Sequence, residues 1–142
     1  MTEPHIVIDT NVLVSALRSR RGASFALLEL LGGDKFEISV SVPLVLEYEA
    51  ATKKLLGESA LTEDDIDNVI DYICSVARHQ QISFLWRPFL KDARDDMVLE
   101  LAVSAGCDEI ITYNKKDFQG VEEFGIRVKS AREFLQEIGE IE

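Results

Sequence analysis

Residues 5–17, HIVIDTNVLVSAL, join a short apolar run to a helical pattern through three polar residues. The run at 6–8 is typical of a parallel strand that is covered on both faces. Asp9 ends it, and Thr10 and Asn11 favour a turn or the N-terminus of a helix. Open α/β sheets bind ligands at the carboxyl ends of such strands. Taken alone, the stretch is equally consistent with Asp9 serving only as a helix cap.

The composition is that of a soluble globular protein. The chain has 142 residues, of which 46% are apolar and 29% are charged. This length is typical of one domain with its own buried core. The apolar stretches are far shorter than the roughly 18 residues of a membrane-spanning helix. The N-terminus also lacks the pattern of a signal peptide. We therefore expect a cytoplasmic protein that has no membrane as a partner.

The cysteines indicate neither a metal site nor a disulfide. Cys74 and Cys107 stand apart without CxxC spacing, and His5 and His79 are equally isolated. We expect both thiols to be reduced and buried, where they would pack as small apolar groups.

The net charge of −11 argues against a broad electrostatic surface for nucleic acid. Basic residues nevertheless flank the candidate site segments, namely Arg18, Arg20, Arg21, Arg94, Lys115 and Lys116. A solvated surface explains each of them singly. Their shared position weakly favours a partner that carries phosphate.

Strand and helix patterns alternate along the chain. Strands are predicted at 6–8, 36–40, 82–86, 109–112 and 127–129, with helical periodicity in the segments between them. This alternation predicts right-handed crossovers and a three-layer α/β fold, in which helices cover both faces of a mostly parallel sheet. No repeat or linker interrupts the pattern, so we expect a single domain over residues 1–142.

Helical phase separates two glutamates in the helix predicted from residue 42 to about 56. Glu47 shares a face with three apolar residues, Leu44, Ala51 and Leu55. A carboxylate on a face that points to the core costs free energy unless it is paired or binds a metal. Glu49 instead faces Lys53 four residues on, as in an ordinary surface pair. Glu47 is therefore the candidate functional residue.

The same argument applies to the helix predicted from about 93 to 105. Asp95 shares a face with Val98, Leu99 and Ala102, whereas Asp96 lies beside Glu100 on a face that we expect to be more exposed. Acids also stabilise the first turn of a helix through its dipole. That explanation suits Asp92, as a cap, and Asp96 better than it suits Asp95.

A fourth polar segment follows the strand predicted at 109–112. Asn114 lies at the edge of this strand, and Asp117 follows in the next turn. If this strand neighbours the first, its polar residues converge with Asp9, Glu47 and Asp95. Clustered carboxylates repel one another unless a cation neutralises them, and oxygen donors alone select Mg²⁺ or Mn²⁺. Such ions support phosphodiester hydrolysis. Alternatively, Asp117 is a surface acid paired with a neighbouring lysine.

Four motifs together resemble the PIN-domain family, in particular its toxin-like members related to VapC. They are IDTNVLVSAL at 8–17, LVLEYEA at 44–50, DARDDMVLELAVSAGCDEIIT at 92–112 and YNKKDF at 113–118. The resemblance covers nearly the whole chain and implies a sheet of order 3-2-1-4-5. It further implies a metal-dependent ribonuclease that acts as a toxin, is blocked by an antitoxin protein and forms homodimers.

The resemblance also implies a set of site residues. It maps the catalytic and metal-binding acids onto Asp9, Glu47 and Asp95, with Asn114 or Asp117 at a fourth position. The polar residues that would support the site are Thr10, Asn11 and Thr112. Many relatives have an acid where this chain has Asn114, so the number of metal ions stays open. The basic residues expected to contact RNA phosphates are Arg18, Arg20, Arg21, Lys115 and Lys116.

Two other functions compete with this interpretation. Phosphomonoesterases of the haloacid-dehalogenase type also begin with a strand that ends in Asp, but they need a second Asp two residues later, where this chain has Asn11. A PIN-like interaction module without activity is the other alternative. Asn114 and the net charge of −11 favour it, whereas the intact set of Asp9, Glu47 and Asp95 argues against it.

Overall fold

The computed structural model describes residues 3–82 and 89–142. The strands are β1 (His5–Ile8), β2 (Glu37–Val40), β3 (Arg78–His79), β4 (Glu109–Ile111) and β5 (Arg127–Lys129). The helices are α1 (Thr10–Arg18), α2 (Ala23–Glu29), α3 (Val42–Lys53), α4 (Glu63–Val76), α5 (Ala93–Ser104) and α6 (Ala131–Glu137). Two 3₁₀ turns, Lys115–Phe118 and Val121–Phe124, lie between β4 and β5.

The strands form one parallel sheet of order β3-β2-β1-β4-β5. β1 is central, and Ile6 and Val7 on it are completely buried. The order runs outward from β1 in both directions, so right-handed crossovers put α1 to α4 on one face and α5 on the other. The predicted α/β fold and its strand order of 3-2-1-4-5 are confirmed.

The third strand does not lie where the apolar pattern suggested. Most of the predicted strand at 82–86 falls on residues 83–88, which lie outside the described residues, and Ile82 is not part of a strand. β3 instead comprises Arg78 and His79, which pair with Ser39 and Val40 of β2. Both residues of β3 are exposed. A short, polar edge strand of this kind lacks the apolar periodicity on which the prediction relied.

Capping boxes begin two of the helices. Thr62 and Asp65 form one at α4, and Ser130 and Glu133 form another at α6. α3 ends at Lys53 rather than near residue 56. Both cysteines are free thiols as expected, but Cys107 is buried whereas Cys74 is only half-buried.

None of the helices in residues 3–82 and 89–142 has the length and apolar character needed to cross a membrane.

A buried tyrosine fixes α3 against the carboxyl end of β1. Tyr48 is only 2% exposed, and its hydroxyl donates a hydrogen bond to the carbonyl of Ile8. The Thr52 hydroxyl in turn donates to the Tyr48 carbonyl at 2.7 Å. Glu47 directly precedes Tyr48, so this anchor brings Glu47 close to the residue that follows Ile8.

We predict that Tyr48→Phe lowers the free energy of unfolding by about 1–3 kcal/mol, because it removes the donor from a buried hydrogen bond. Tyr72→Phe is the matched control. The Tyr72 hydroxyl donates to the Leu31 carbonyl at 2.7 Å, but this residue is 48% exposed and water can replace the donor. Urea denaturation measures both variants. Equal losses would contradict a special role for the Tyr48 anchor.

Candidate active site

Asp9 joins β1, α1 and β4 through its side chain. One carboxylate oxygen accepts a hydrogen bond from the Thr10 amide and the other from the Thr112 hydroxyl, both at 2.8 Å. Asp9 caps α1 and is buried. Burial raises the pKa of Asp9, although the two hydrogen bonds act in the opposite direction. Asp9 is thus a helix cap that also carries a carboxylate in an unfavourable environment.

Thr112 is the centre of a polar network between the ends of β1 and β4. Its hydroxyl donates to Asp9 and accepts from the Asn11 side chain at 3.2 Å and the Asn114 amide at 3.1 Å. The side-chain oxygen of Asn11 accepts a hydrogen bond from the Tyr113 amide at 3.2 Å. The structure therefore places Asn11 and Thr112 together, in contact with Asp9.

Glu47 faces this network from α3. It is half-buried, and its pKa is raised by burial and then by the negative charge of Asp9, while the Thr10 hydroxyl opposes the shift. Glu49, two residues on, instead lies 3.4 Å from the Lys53 ammonium. The predicted surface pair of Glu49 with Lys53 is confirmed, and the functional role of Glu47 stays a prediction.

Asp95 approaches from the first turn of α5. Its pKa is raised to about 6, first by burial and then by the negative charges of Asp9, Asp92 and Asp117. Arg94 opposes this effect. The charge of Asp9 at the end of β1 thus raises the pKa of both Glu47 on α3 and Asp95 on α5. We call the region between these three acids the acidic crevice, and their joint role in a site stays a prediction.

Arg94 is a neighbour of this crevice that the sequence did not assign to the site. Its guanidinium pairs with Asp92 at 3.1 Å, and Asp92 also caps α5 by accepting from the Arg94 amide at 2.8 Å. These hydrogen bonds lower the pKa of Asp92. The Arg94 charge also lowers the pKa values of Asp9, Glu47 and Asp95 against the larger effect of burial. Its position directly before Asp95 was the available signal.

Asp96 has a structural role that the sequence did not reveal. One of its carboxylate oxygens accepts from the amides of Phe89 and Leu90, at 3.2 and 2.8 Å. Glu100, on the same side of α5, is only 4% exposed. The expected exposure of this helix face is therefore wrong, because the periodicity of α5 cannot show which other segments pack against it.

Asp117 lies in the predicted turn after β4. Its amide donates to the Asn114 carbonyl at 3.0 Å, and its side chain lines a groove together with Asp92, Asp95 and Lys116. Its charge contributes to the raised pKa values of Asp9 and Asp95. The Lys115 ammonium lies 2.8 Å from Glu133. It therefore pairs with Glu133 rather than with Asp117. Asn114 itself is exposed.

The five basic residues expected at an RNA surface occupy different surroundings. Lys116 lines the acidic groove, whereas Lys115 contacts α6. The Arg18 guanidinium is 3.7 Å from Glu58, and the Arg21 amide donates to Ser19. The pKa of Asp65 is lowered mainly by hydrogen bonds with Thr62 and to a smaller extent by Arg20.

The donor set suits a hard divalent cation. The crevice offers carboxylate oxygens whose pKa values are raised by burial and by one another, and a cation would offset both effects. Within the described part of the chain, no three acidic, histidine or cysteine residues are close enough to hold an ion directly. Mg²⁺ keeps several water ligands in proteins, so these residues fit an ion bound partly through water.

We predict that Asp95→Asn raises the melting temperature in EDTA at pH 7–8. The folded pKa of about 6 lies above the ordinary value of 3.8, so this carboxyl destabilises the folded state as the pH rises through 6. The advantage of the variant should vanish near pH 4. Asp92→Asn is the control and should lower the melting temperature at pH 7, because the pKa of Asp92 is lowered. A lower melting temperature for Asp95→Asn at pH 8 would contradict the predicted sign.

Comparison with known proteins agrees with this geometry. The family model described as PIN domain matches residues 5–116, which include Asp9, Glu47 and Asp95. No curated protein matches the chain significantly. The match spans most of the chain, and the sheet order is the one expected for this family. The chain therefore belongs to the PIN-domain family.

Proposed function

We propose that this protein is a metal-dependent ribonuclease that hydrolyses phosphodiester bonds in RNA. PIN domains are typically metal-dependent nucleases, which supports the general class of activity. The observation that carries the proposal is the position of Asp9 at the carboxyl end of β1, where the Thr112 hydroxyl at the end of β4 holds its carboxylate at 2.8 Å. Glu47 on α3 and Asp95 on α5 are near enough for the negative charge of Asp9 to raise the pKa of each. A structural role alone gives no reason for such an arrangement.

The residues of the crevice would have two roles, metal binding and support of the metal ligands. Asp9, Glu47 and Asp95 would hold Mg²⁺ or Mn²⁺, with Asp117 or Asn114 completing the site. When bound, the ion would neutralise charge on the phosphate and activate a water molecule for attack. Thr112 orients the Asp9 carboxylate through its hydrogen bond of 2.8 Å. Thr10 and Asn11 support the same end of β1.

The cations near the crevice would bind the RNA backbone. Lys116 lines the groove beside Asp95 and Asp117, and its ammonium would attract phosphate there. Lys115 and Arg18 would have to exchange their contacts with Glu133 and Glu58 before they could bind RNA. Lys116 is accordingly the first of the five to test.

The finer proposal is that the protein is the toxin of a toxin–antitoxin pair. The support is the resemblance of its four motifs to VapC-related proteins, which also suggests a homodimer in the cytoplasm. An antitoxin protein would then block access to the acidic crevice. A catalytically inactive interaction module is the alternative, favoured by Asn114 and the net charge of −11.

We predict that the protein cleaves unstructured RNA with Mn²⁺ or Mg²⁺ and that EDTA abolishes cleavage. Glu47→Gln should reduce the rate by at least about a hundredfold, because the cost of losing a metal-site residue reaches this range. Glu49→Gln is the matched control and should change the rate less than about twofold, since this residue only pairs with Lys53 at the surface. Gel analysis of labelled RNA measures both rates. Similar losses in the two variants would argue against a site at Glu47.

We also predict that Asp117→Asn raises the Mn²⁺ concentration needed for half-maximal cleavage by about tenfold or more, without unfolding the protein. Its carboxylate adds negative charge beside Asp9 and Asp95. Asn114→Asp should allow a second ion to bind without RNA, because a neutral amide becomes a charged oxygen donor. Calorimetric titration compares the three proteins. Identical affinity and stoichiometry would leave neither residue a role in metal binding.

A further inference from the structure

Two phenylalanines with partly exposed rings lie side by side, and one of them, Phe89, lines the groove of Asp95 and Asp117. Phe89 is 42% exposed and Phe124 is 40% exposed. Their ring centroids are 5.2 Å apart, and the ring planes meet at 80°. In an edge-to-face pair, whichever ring supplies the edge, each ring keeps at least one face that this contact does not use. The pair thus combines a defined geometry with apolar surface left in contact with water.

The backbone holds Phe89 in place from two sides. Its amide, together with that of Leu90, donates to the Asp96 carboxylate at the start of α5. Its ring also lies against Gly120, where an added Cβ atom would come within 3.2 Å of the ring. Gly120 has a φ of +92°, so both its backbone conformation and the nearby ring favour glycine there. Phe124 ends the 3₁₀ turn that follows Gly120.

The aromatic surface is continuous with the candidate active site. Phe89 lines the same groove as Asp95 and Asp117, which belong to the proposed catalytic set. Two lysines, Lys91 and Lys116, line this groove as well. An aromatic ring, two lysines and two of the proposed site residues, Asp95 and Asp117, therefore line one groove.

We propose that Phe89, supported by Phe124, is a stacking site for one unpaired base of the RNA next to the phosphate that is cleaved. This inference rests on the proposed ribonuclease function and names the substrate class as single-stranded RNA. An aromatic ring stacks on any base, whereas bases in a duplex already stack on one another. Lys91 and Lys116 would attract the phosphates on either side of the stacked nucleotide.

The combination of groups favours RNA over a protein as the occupant. A ring beside two lysines offers both things that a single-stranded nucleic acid needs, namely a stacking surface and positive charge along the backbone path. Asp95 and Asp117, which line the same groove, would contact the RNA through the divalent ion that they help to bind. The stacking surface would thereby set the distance between the bound base and the hydrolysed bond.

The test measures RNA binding separately from cleavage. All variants carry Glu47→Gln, which should slow cleavage so that RNA binding can be measured on intact RNA. Glu47 does not line this groove, so its substitution leaves the groove itself unchanged. Fluorescence anisotropy with Mn²⁺ measures binding of three kinds of RNA. They are a short unstructured RNA, a series of the same RNA in which each member lacks one base at a different position, and a duplex. In this background, Phe89→Leu keeps an apolar side chain without an aromatic face, and Phe89→Tyr keeps the face. Leu46→Ala, an exposed apolar residue on α3, is the control. Urea denaturation checks that each variant is folded.

We expect Phe89→Leu to weaken binding of the unstructured RNA by about tenfold, which lies within the range for loss of one base stack. Phe89→Tyr and Leu46→Ala should bind like the background protein. The loss should disappear for the RNA whose abasic position removes the stacked base, and duplex RNA should bind weakly throughout. Phe124→Leu should cause a smaller loss in the same direction.

Equal binding of unstructured RNA by Phe89→Leu and the background protein would overturn the inference. So would a Phe89→Leu variant that binds RNA normally but no longer self-associates in sedimentation, because the surface would then dock protein. The experiment can contradict the stacking site and the ribonuclease function independently of each other. If Phe89→Leu weakens RNA binding but the natural chain cleaves no RNA with Mn²⁺, the stacking site stands and the ribonuclease proposal falls. If cleavage is intact and RNA binding does not depend on Phe89, the stacking site alone falls.

Discussion

The parallel pairing of β1 with β4 is the constraint on which the site depends. It aligns Ile8 with Ile111, so the residues that follow these two strands meet at one edge of the sheet. The Thr112 hydroxyl then reaches Asp9 at 2.8 Å across a separation of 103 residues in sequence. Asn11 reinforces the same junction through its bond to Thr112. Without this pairing, Asp9 would remain a helix cap with no relation to the rest of the crevice.

The fold accepts an electrostatic cost at this edge. Asp9, Glu47 and Asp95 all have pKa values raised above those of ordinary carboxyls, so their charged forms are disfavoured in the folded protein. Arg94 offsets part of the cost, but it is also engaged by Asp92. The acids of the capping boxes at α4 and α6 are stabilised by hydrogen bonds, and the buried Glu109, whose pKa is also raised by burial, pairs with Lys129 at 3.2 Å. Among the ion pairs of the described residues, the three acids of the crevice lack such a lysine partner, which supports the proposal that they are functional.

The start of α5 connects the acidic crevice to the aromatic surface. The charge of Asp9 raises the pKa of Asp95, while the adjacent Asp96 accepts hydrogen bonds from the amides of Phe89 and Leu90. One turn of helix therefore positions both a proposed metal ligand and the proposed stacking ring. This arrangement gives the two adjacent acids different purposes, one chemical and one structural. If both proposals hold, the start of α5 would set the distance between the stacked base and the scissile bond.

The sequence by itself determined the fold class, because apolar periodicity is a local property of the chain, and the resemblance of its motifs to the PIN-domain family implied the strand order. Helical phase also predicted the surface pair of Glu49 with Lys53, and the sequence predicted the turn after β4 that holds Asp117. Only the tertiary structure decided that β3 lies at Arg78 and His79, since an exposed two-residue edge strand is defined by its pairing with β2. Tertiary packing likewise decided that Glu100 is buried, that Asp96 binds the amides of Phe89 and Leu90, and that Phe89 lines the acidic groove. Each depends on which distant segment covers a given face, and periodicity within one helix carries no information about that.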